Sequence, residues 1–171
     1  MTELPNLLLF QDQLDRYIAL ARQDGGRVCV VMMDLDGFTD INQRLGWAIG
    51  DELLRAVALR LRKELAEPFA LGRTAADTFA LACSYRTQLQ ADRLRDDSMG
   101  ALQRPFEVGG HSIKLSAQAG IALYPDDGED GRAVFRNAES ALKRAKASRQ
   151  SYVYFSHELH ALAARWSAPR P

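Results

Sequence analysis

Asp34 and Asp36 stand directly after six apolar residues, Val28-Cys29-Val30-Val31-Met32-Met33, and just before Gly37. An apolar run of that length ending at glycine predicts a buried strand over 28–33. Its tip would hold both acids where the sheet meets solvent. Carboxylates so placed are either simply solvated or able to hold Mg²⁺, a hard cation that takes oxygen ligands and shares them with phosphates. Gly37-Phe38-Thr39 open a predicted helix, whose free N–H groups can face a phosphate. Asn42, one or two turns into that helix, is either a solvated residue or an amide that reads a base edge. Gly50-Asp51-Glu52 reads as a helix start with acids at the positive end of the dipole. Alternatively, Asp51 accepts from the N1–H and exocyclic amine of guanine, a donor pair adenine lacks. The stretch Arg73-Thr74-Ala75-Ala76-Asp77-Thr78-Phe79 reads as a tight turn between strands. Its Asp77 is either an ordinary turn former or a ligand completing a site begun by Asp34.

These residues need elements to position them. Asn6 caps a predicted helix carrying Leu7, Leu8, Phe10, Leu14, Ile18 and Ala21, which Gly25-Gly26 stops. A short helix runs from Phe38 to Gly46. Another starts at Asp51, with Leu53, Leu54, Val57, Ala58, Leu61 and Leu65 on one face, and ends before Pro68. Strands are predicted at 69–74 and 78–83, and a polar amphipathic helix at 86–103. A hairpin turns at Gly109-Gly110 between 106–108 and 111–114, its second strand running on through Leu115 to Tyr124. A helix over 130–147 and a strand from Tyr152 to Phe155 follow. Helices alternating with strands around one hairpin predict a mixed sheet with helices on its faces.

The 171 residues suit one domain with a substantial core. With Lys+Arg and Asp+Glu both at 22, the net charge is zero and exerts no general pull on nucleic acid. Cys29 and Cys83 lie in apolar runs and read as buried small hydrophobes, not as a disulfide. No run approaches the roughly 18 apolar residues of a membrane span, so a cytoplasmic setting without membrane contact by this domain is expected. Arg60, Arg62 and Lys63 read as a solvated helix face. His157-Glu158-Leu159-His160 has the wrong spacing for a zinc-binding His-Glu-x-x-His motif.

The order Pro5-Asn6, Met33-Asp34-Leu35-Asp36-Gly37-Phe38, Ile41-Asn42, Leu45-Gly46 and Gly50-Asp51-Glu52-Leu53-Leu54 resembles the GGDEF family of diguanylate cyclase domains. Ala119-Gly120-Ile121-Ala122-Leu123-Tyr124-Pro125 and Ala141-Leu142-Lys143-Arg144-Ala145-Lys146 extend the resemblance over roughly residues 4–155. It implies a palm-like α/β fold related to nucleotidyl cyclases: a central mixed sheet of about five strands flanked by helices, plus a small β-hairpin. It implies GTP as ligand, one per domain, with two GTP joined into cyclic di-GMP across a face-to-face homodimer. Asp34, the Leu35 backbone carbonyl and Asp77 would bind Mg²⁺. Backbone near Gly37 and Phe38 would cradle phosphates, Asn42 and Asp51 would read guanine, Arg73 would support the hairpin or nucleotide, and Lys146 would reach a phosphate. Metal ions in such a site polarise the α-phosphate and activate the attacking 3′-hydroxyl.

The chain departs from the family pattern at the hairpin. Gly-Gly-Asp/Glu-Glu-Phe is replaced by Ala75-Ala76-Asp77-Thr78-Phe79. Each alanine adds a Cβ where a nucleotide should approach, and Thr78 puts a neutral hydroxyl in place of a carboxylate. Losing such a group typically slows a reaction by about 10²–10⁴. Thr39 stands where many members carry lysine, Trp47 where histidine is usual, and Gln150 where arginine is common, with Arg149 adjacent. The Arg-x-x-Asp product-inhibition motif is replaced by Ala66-Glu67-Pro68-Phe69, so no cyclic-di-GMP inhibitory site is expected.

Together these features predict a degenerate, catalytically inactive domain over 1–155 that acts as a regulatory GTP-binding or scaffold module in cyclic-di-GMP signalling. The alternative is a weakly active cyclase. Residues 156–171 read as a helical linker toward an EAL-type phosphodiesterase domain. Asp34-Leu35-Asp36-Gly37-Phe38 also resembles the first motif of haloacid-dehalogenase-type phosphatases, with Asp34 as nucleophile. Those enzymes need a later lysine and a further acidic motif, and Gly50-Asp51 comes too early for it.

Overall fold

A computed structural model describes residues 6–75 and 77–156. The linker expected at 156–171 therefore lies almost entirely outside the described residues. The elements run α1 (Leu7–Asp24), β1 (Arg27–Asp36), α2 (Phe38–Leu45), α3 (Trp47–Glu64), β2 (Ala70–Ala75), β3 (Thr78–Tyr85), α4 (Gln88–Ala101), β4 (Phe106–Val108), β5 (His111–Ile113), β6 (Ser116–Tyr124), α5 (Gly131–Ser148) and β7 (Tyr152–Tyr154). Five strands form one mixed sheet in the order β2-β3-β1-β6-β7. All pairs in it are antiparallel except β6 with β7. This is the expected fold class, and β4–β5 form the expected small hairpin.

Strand periodicity divides the core. Successive side chains of β1 point to opposite faces. Val28, Val30 and Met32 pack with α1 and α5, against Phe10, Leu14, Phe135 and Ala138. Cys29, Val31, Met33 and Leu35 pack on the other face with α2, α3, α4 and the β4–β5 hairpin. Both faces of the central strand are covered, which explains its uninterrupted apolar run. Gly120 in β6 allows α5 to lie close: a Cβ there would collide with the Leu142 and Ala138 backbone.

Helix ends follow the expected chemistry in three places. The Asn6 side chain accepts from the Leu9 N–H at 3.0 Å, and Asp130 caps α5 through the Ala133 N–H at 2.8 Å. Thr87 and Gln90 form a reciprocal capping box at the start of α4.

Four expectations are corrected. The strand 28–33 extends through Asp36, because backbone pairing with β6 continues to Asp36↔Ser116 whatever the side chains. The second hairpin strand does not run on into β6. The chain leaves the two-stranded ribbon at Ile113 and enters the main sheet at Ser116, with Ile113 buried against the α3 side of the core. The helix expected from Asp51 begins at Trp47, one turn earlier, because Gly46 at φ +94° ends α2 and the chain re-enters helix directly after it, with Gly50 tolerated inside. Arg60 is not solvated like Arg62 and Lys63. It stacks 3.6 Å above the Phe106 ring and donates to the carbonyls of Ala101, Arg104 and Pro105, closing the end of α4.

Both cysteines are free thiols, and they face one another across β1 and β3. Cys29 is buried as expected, whereas Cys83 is only partly so. Burial still pushes the Cys83 thiol up to about 11.

Candidate functional site

Asp34 continues the even-numbered face of β1, the face that looks toward α1 and α5. From α5, Lys146 reaches it and the two side chains form an ion pair. The Asp34 carboxylate is only 14 % exposed, whereas the Lys146 side chain is half exposed, so water still screens the pair. From β3, directly opposite in the register, the Thr78 hydroxyl donates to Asp34 Oδ1 at 3.3 Å. Asp36 lies on the same face nearer the strand end and accepts from the Ser116 hydroxyl at 3.2 Å.

The β2–β3 turn is held against this strand. The Leu35 N–H donates to the Asp77 carbonyl at 3.0 Å. Phe79, fully buried, anchors the following strand in the core. Arg73 donates through Nε to the Ala75 carbonyl at 3.2 Å, so its guanidinium supports the hairpin backbone. The ladder shifts register between Arg73 and Ala75, and Ala75 is exposed. Ala76 falls outside the described residues. Burial, and then the Asp34 carboxylate, push the Asp77 carboxyl above the ordinary range. The hydrogen bond that Lys146 donates to Asp34 holds its ammonium above the ordinary value. A cavity of about 240 Å³ opens here, lined by Asp34, Thr74, Ala75 and Thr78 on the sheet and by Glu139, Lys143 and Lys146 on α5.

The donor set suits a hard cation. Asp34 lies close enough to Asp77 to oppose its ionisation, and the Leu35 carbonyl of the same strand can add a neutral oxygen. Among the described residues no group of three or more His, Cys, Asp and Glu side chains could hold a metal. Ligands beyond Asp34, Asp77 and Leu35 would have to come from phosphate and water, as is common for Mg²⁺.

A second group of candidate residues lies at the α2–α3 junction. Gly37 takes φ +76° and opens α2 without a side-chain cap, leaving the first helical N–H groups available to an anion. Phe38 is buried beneath them. Asn42, on α2, is 92 % buried by the α3 contact, being only 8 % exposed, and its Oδ1 has no hydrogen-bond partner. The reason it fits is Gly50: a Cβ there would collide with the Asn42 amide. An interior helical glycine costs roughly 0.5–1 kcal/mol relative to alanine, and here it makes room for a polar side chain. Asp51, next to it, is exposed in the second turn of α3. This corrects the helix-start reading of Gly50-Asp51-Glu52: no acid stands in the first turn of α3.

Asp34, Asp77, Thr78 and Lys146 are thus brought together beside the hairpin. Asn42 meets Gly50, beside Asp51, at the α2–α3 junction. Sequence reasoning missed the Thr78–Asp34 and Lys146–Asp34 contacts. The alternation of β1 could have shown that Asp34 faces α5, but no local signal shows which residue of α5 meets it.

The family described as "Diguanylate cyclase, GGDEF domain" matches residues 1–151. The bifunctional diguanylate cyclase/cyclic di-GMP phosphodiesterase MucR of Pseudomonas aeruginosa is 35% identical over 164 residues, 95% of this chain and 24% of that protein. The cyclic di-GMP phosphodiesterase PdeR of Escherichia coli is 33% identical over 94% of this chain and 24% of its own length. The diguanylate cyclase TpbB of P. aeruginosa is 33% identical over 85% of this chain and 34% of its own length. The chain therefore spans a quarter to a third of these relatives. The crystal structure of the TpbB GGDEF domain superimposes with a TM-score of 0.82 at 32% identity, covering 86% of this chain and 93% of that one. An EAL/GGDEF domain protein from M. capsulatus gives 0.74 at 35% identity over 89% of this chain and 99% of that one.

Proposed function

Because this chain belongs to the GGDEF family, the domain type of cyclic-di-GMP signalling proteins, we propose that it is a regulatory GTP-binding domain whose cyclase chemistry is lost. The observation that carries this reading is the Thr78 hydroxyl hydrogen-bonded to Asp34 where the family pattern has an acid. That contact satisfies the carboxylate internally and supplies no negative charge of its own. Ala75 and Ala76 put methyl groups where the family pattern has two glycines.

The remaining residues support binding. Mg²⁺ would be held by Asp34, the Leu35 carbonyl and Asp77, and when bound would screen the triphosphate. The N–H groups opening α2 after Gly37 and Phe38 would face phosphate oxygens. Lys146 would exchange Asp34 for a phosphate. Asn42 and Asp51 would receive the guanine edge, and Arg73 would keep the hairpin backbone in place. In the whole protein, a following EAL-type domain would be the recipient of the signal, as the GGDEF–EAL organisation of relatives suggests. A homodimer face is carried by the same family reading. Ala66-Glu67-Pro68-Phe69 leaves no charged pair for product inhibition.

A second reading is favoured by the survival of Asp34, Asp77, Asn42, Asp51 and Lys146 together: a weakly active diguanylate cyclase. One experiment separates the two. The chain is titrated calorimetrically with GTP and Mg²⁺, then with ATP, and the GTP mixture is analysed by chromatography. Saturable, guanine-selective heat without cyclic di-GMP is expected. Product formation would establish the second reading, and absence of heat would leave a scaffold.

A further inference from the structure

We propose that Trp47 is a stacking residue of the nucleotide site, covering the flat face of the guanine whose edge Asn42 and Asp51 read. The proposal rests on the guanine-binding reading above and adds a contact to it. Trp47 is the first residue of α3 and is 75 % exposed, a large aromatic ring left in water. Such a ring offers one of the largest apolar faces any side chain can bury against a ligand.

Its neighbours make the position informative. Gly46 at φ +94° turns the chain between α2 and α3, and its N–H donates to the Asn42 carbonyl at 2.9 Å. Trp47 therefore enters α3 beside the end of the helix that carries Asn42. Asp51 lies four residues further on, on the same helix face, and helical side chains lean toward the N-terminus, so Asp51 leans toward Trp47. Gly50 has no side chain, and against it sits the Asn42 amide with its buried Oδ1 unpartnered. One aromatic plane, one exposed carboxylate and one unsatisfied amide oxygen are thus gathered within about one helical turn. That set is complementary to a flat base bearing adjacent N–H donors. A purine covers more of an indole than a pyrimidine does, and guanine supplies the donors.

The test uses the whole chain carrying Trp166→Phe, so that Trp47 is its only tryptophan. GTP and inosine triphosphate are titrated with Mg²⁺ while tryptophan emission and calorimetric heat are recorded. GTP is expected to quench Trp47 saturably. Stacking tolerates any base, so Trp47→Ala should weaken both nucleotides by a common factor of about tenfold. Trp47→Phe should restore most of that affinity. Asp51→Asn should instead narrow the preference for GTP over inosine triphosphate while the quench persists. If GTP heat is present but Trp47→Ala leaves both affinities within about twofold, or emission does not change, the stacking proposal falls and the guanine reading stands. If the unsubstituted chain gives no GTP heat, both fall.

Discussion

The hairpin end of the site and the α2–α3 junction differ in how their polar groups are satisfied. At the hairpin, Asp34 already has Lys146 and Thr78, and the Asp77 carbonyl already has the Leu35 N–H. At the junction, Asn42 Oδ1 is buried without a partner, Asp51 is exposed and Trp47 stands in solvent. A satisfied cluster gains little from a ligand, because each new bond replaces an existing one. An unsatisfied buried acceptor has already lost its water, so a ligand donor adds a bond at no further desolvation cost for that atom. On the proposed reading, the difference teaches that substitution struck the two regions unequally: the junction keeps an unpartnered acceptor and exposed groups, whereas the polar groups at the hairpin already bond one another.

The largest effect is expected at the hairpin. Restoring the family pattern with Ala75→Gly, Ala76→Gly and Thr78→Glu together should raise cyclic di-GMP formation from GTP by about 10²–10⁴, followed by chromatography. No product from a folded triple variant would place the defect elsewhere. Next comes the junction. Asn42→Ala should weaken GTP by about tenfold in calorimetry, the loss of one buried hydrogen bond to a ligand, and should leave ATP heats unchanged.

A smaller effect, on stability, should come from Gly50→Ala. Its Cβ collides with the Asn42 amide, an overpacking that costs about 1–3 kcal/mol. That corresponds to a Tm lowered by roughly 2–12 °C in a domain of this size, read by calorimetric melting. Combining it with Asn42→Ala should recover most of the loss.

The smallest concerns Asp77. Burial and Asp34 raise its carboxyl above the unfolded value, so the folded state binds this proton more tightly. The stabilisation from that proton is present at pH below the unfolded value and is lost as pH rises through the folded one. At pH 7 the ionised Asp77 is thus a modest cost, softened by solvent. With chelator present, Asp77→Asn should raise Tm at pH 7 by on the order of 1 °C, and the gain should shrink toward pH 4. A fall in Tm at pH 7 would show that the side chain is held by favourable contacts.

Much of the architecture could be read from local pattern. The run 28–33 announced a strand covered on both faces, Asn6 announced the cap of α1, and the spacing of Leu53, Leu54, Val57 and Leu61 announced the buried face of α3. These depend on burial and short-range hydrogen bonding, which neighbouring residues decide. The start of α3 was misread because Gly50-Asp51 looks like a helix entry. It lies inside the helix because α3 starts directly after Gly46, and residue 50 is a glycine because Asn42, from another element, fills the space above it.

The residue types at the site, and their departure from the family pattern at 75, 76 and 78, were determined by the amino-acid order alone. Tertiary structure decided which of them meet. Lys146 lies 112 positions from Asp34 and Thr78 lies 44 away. Their contacts exist because β1 presents its even face to α5 and pairs with β3 in one register. Register and helix docking are set by the packing of the whole core, to which each short stretch of chain contributes only one surface.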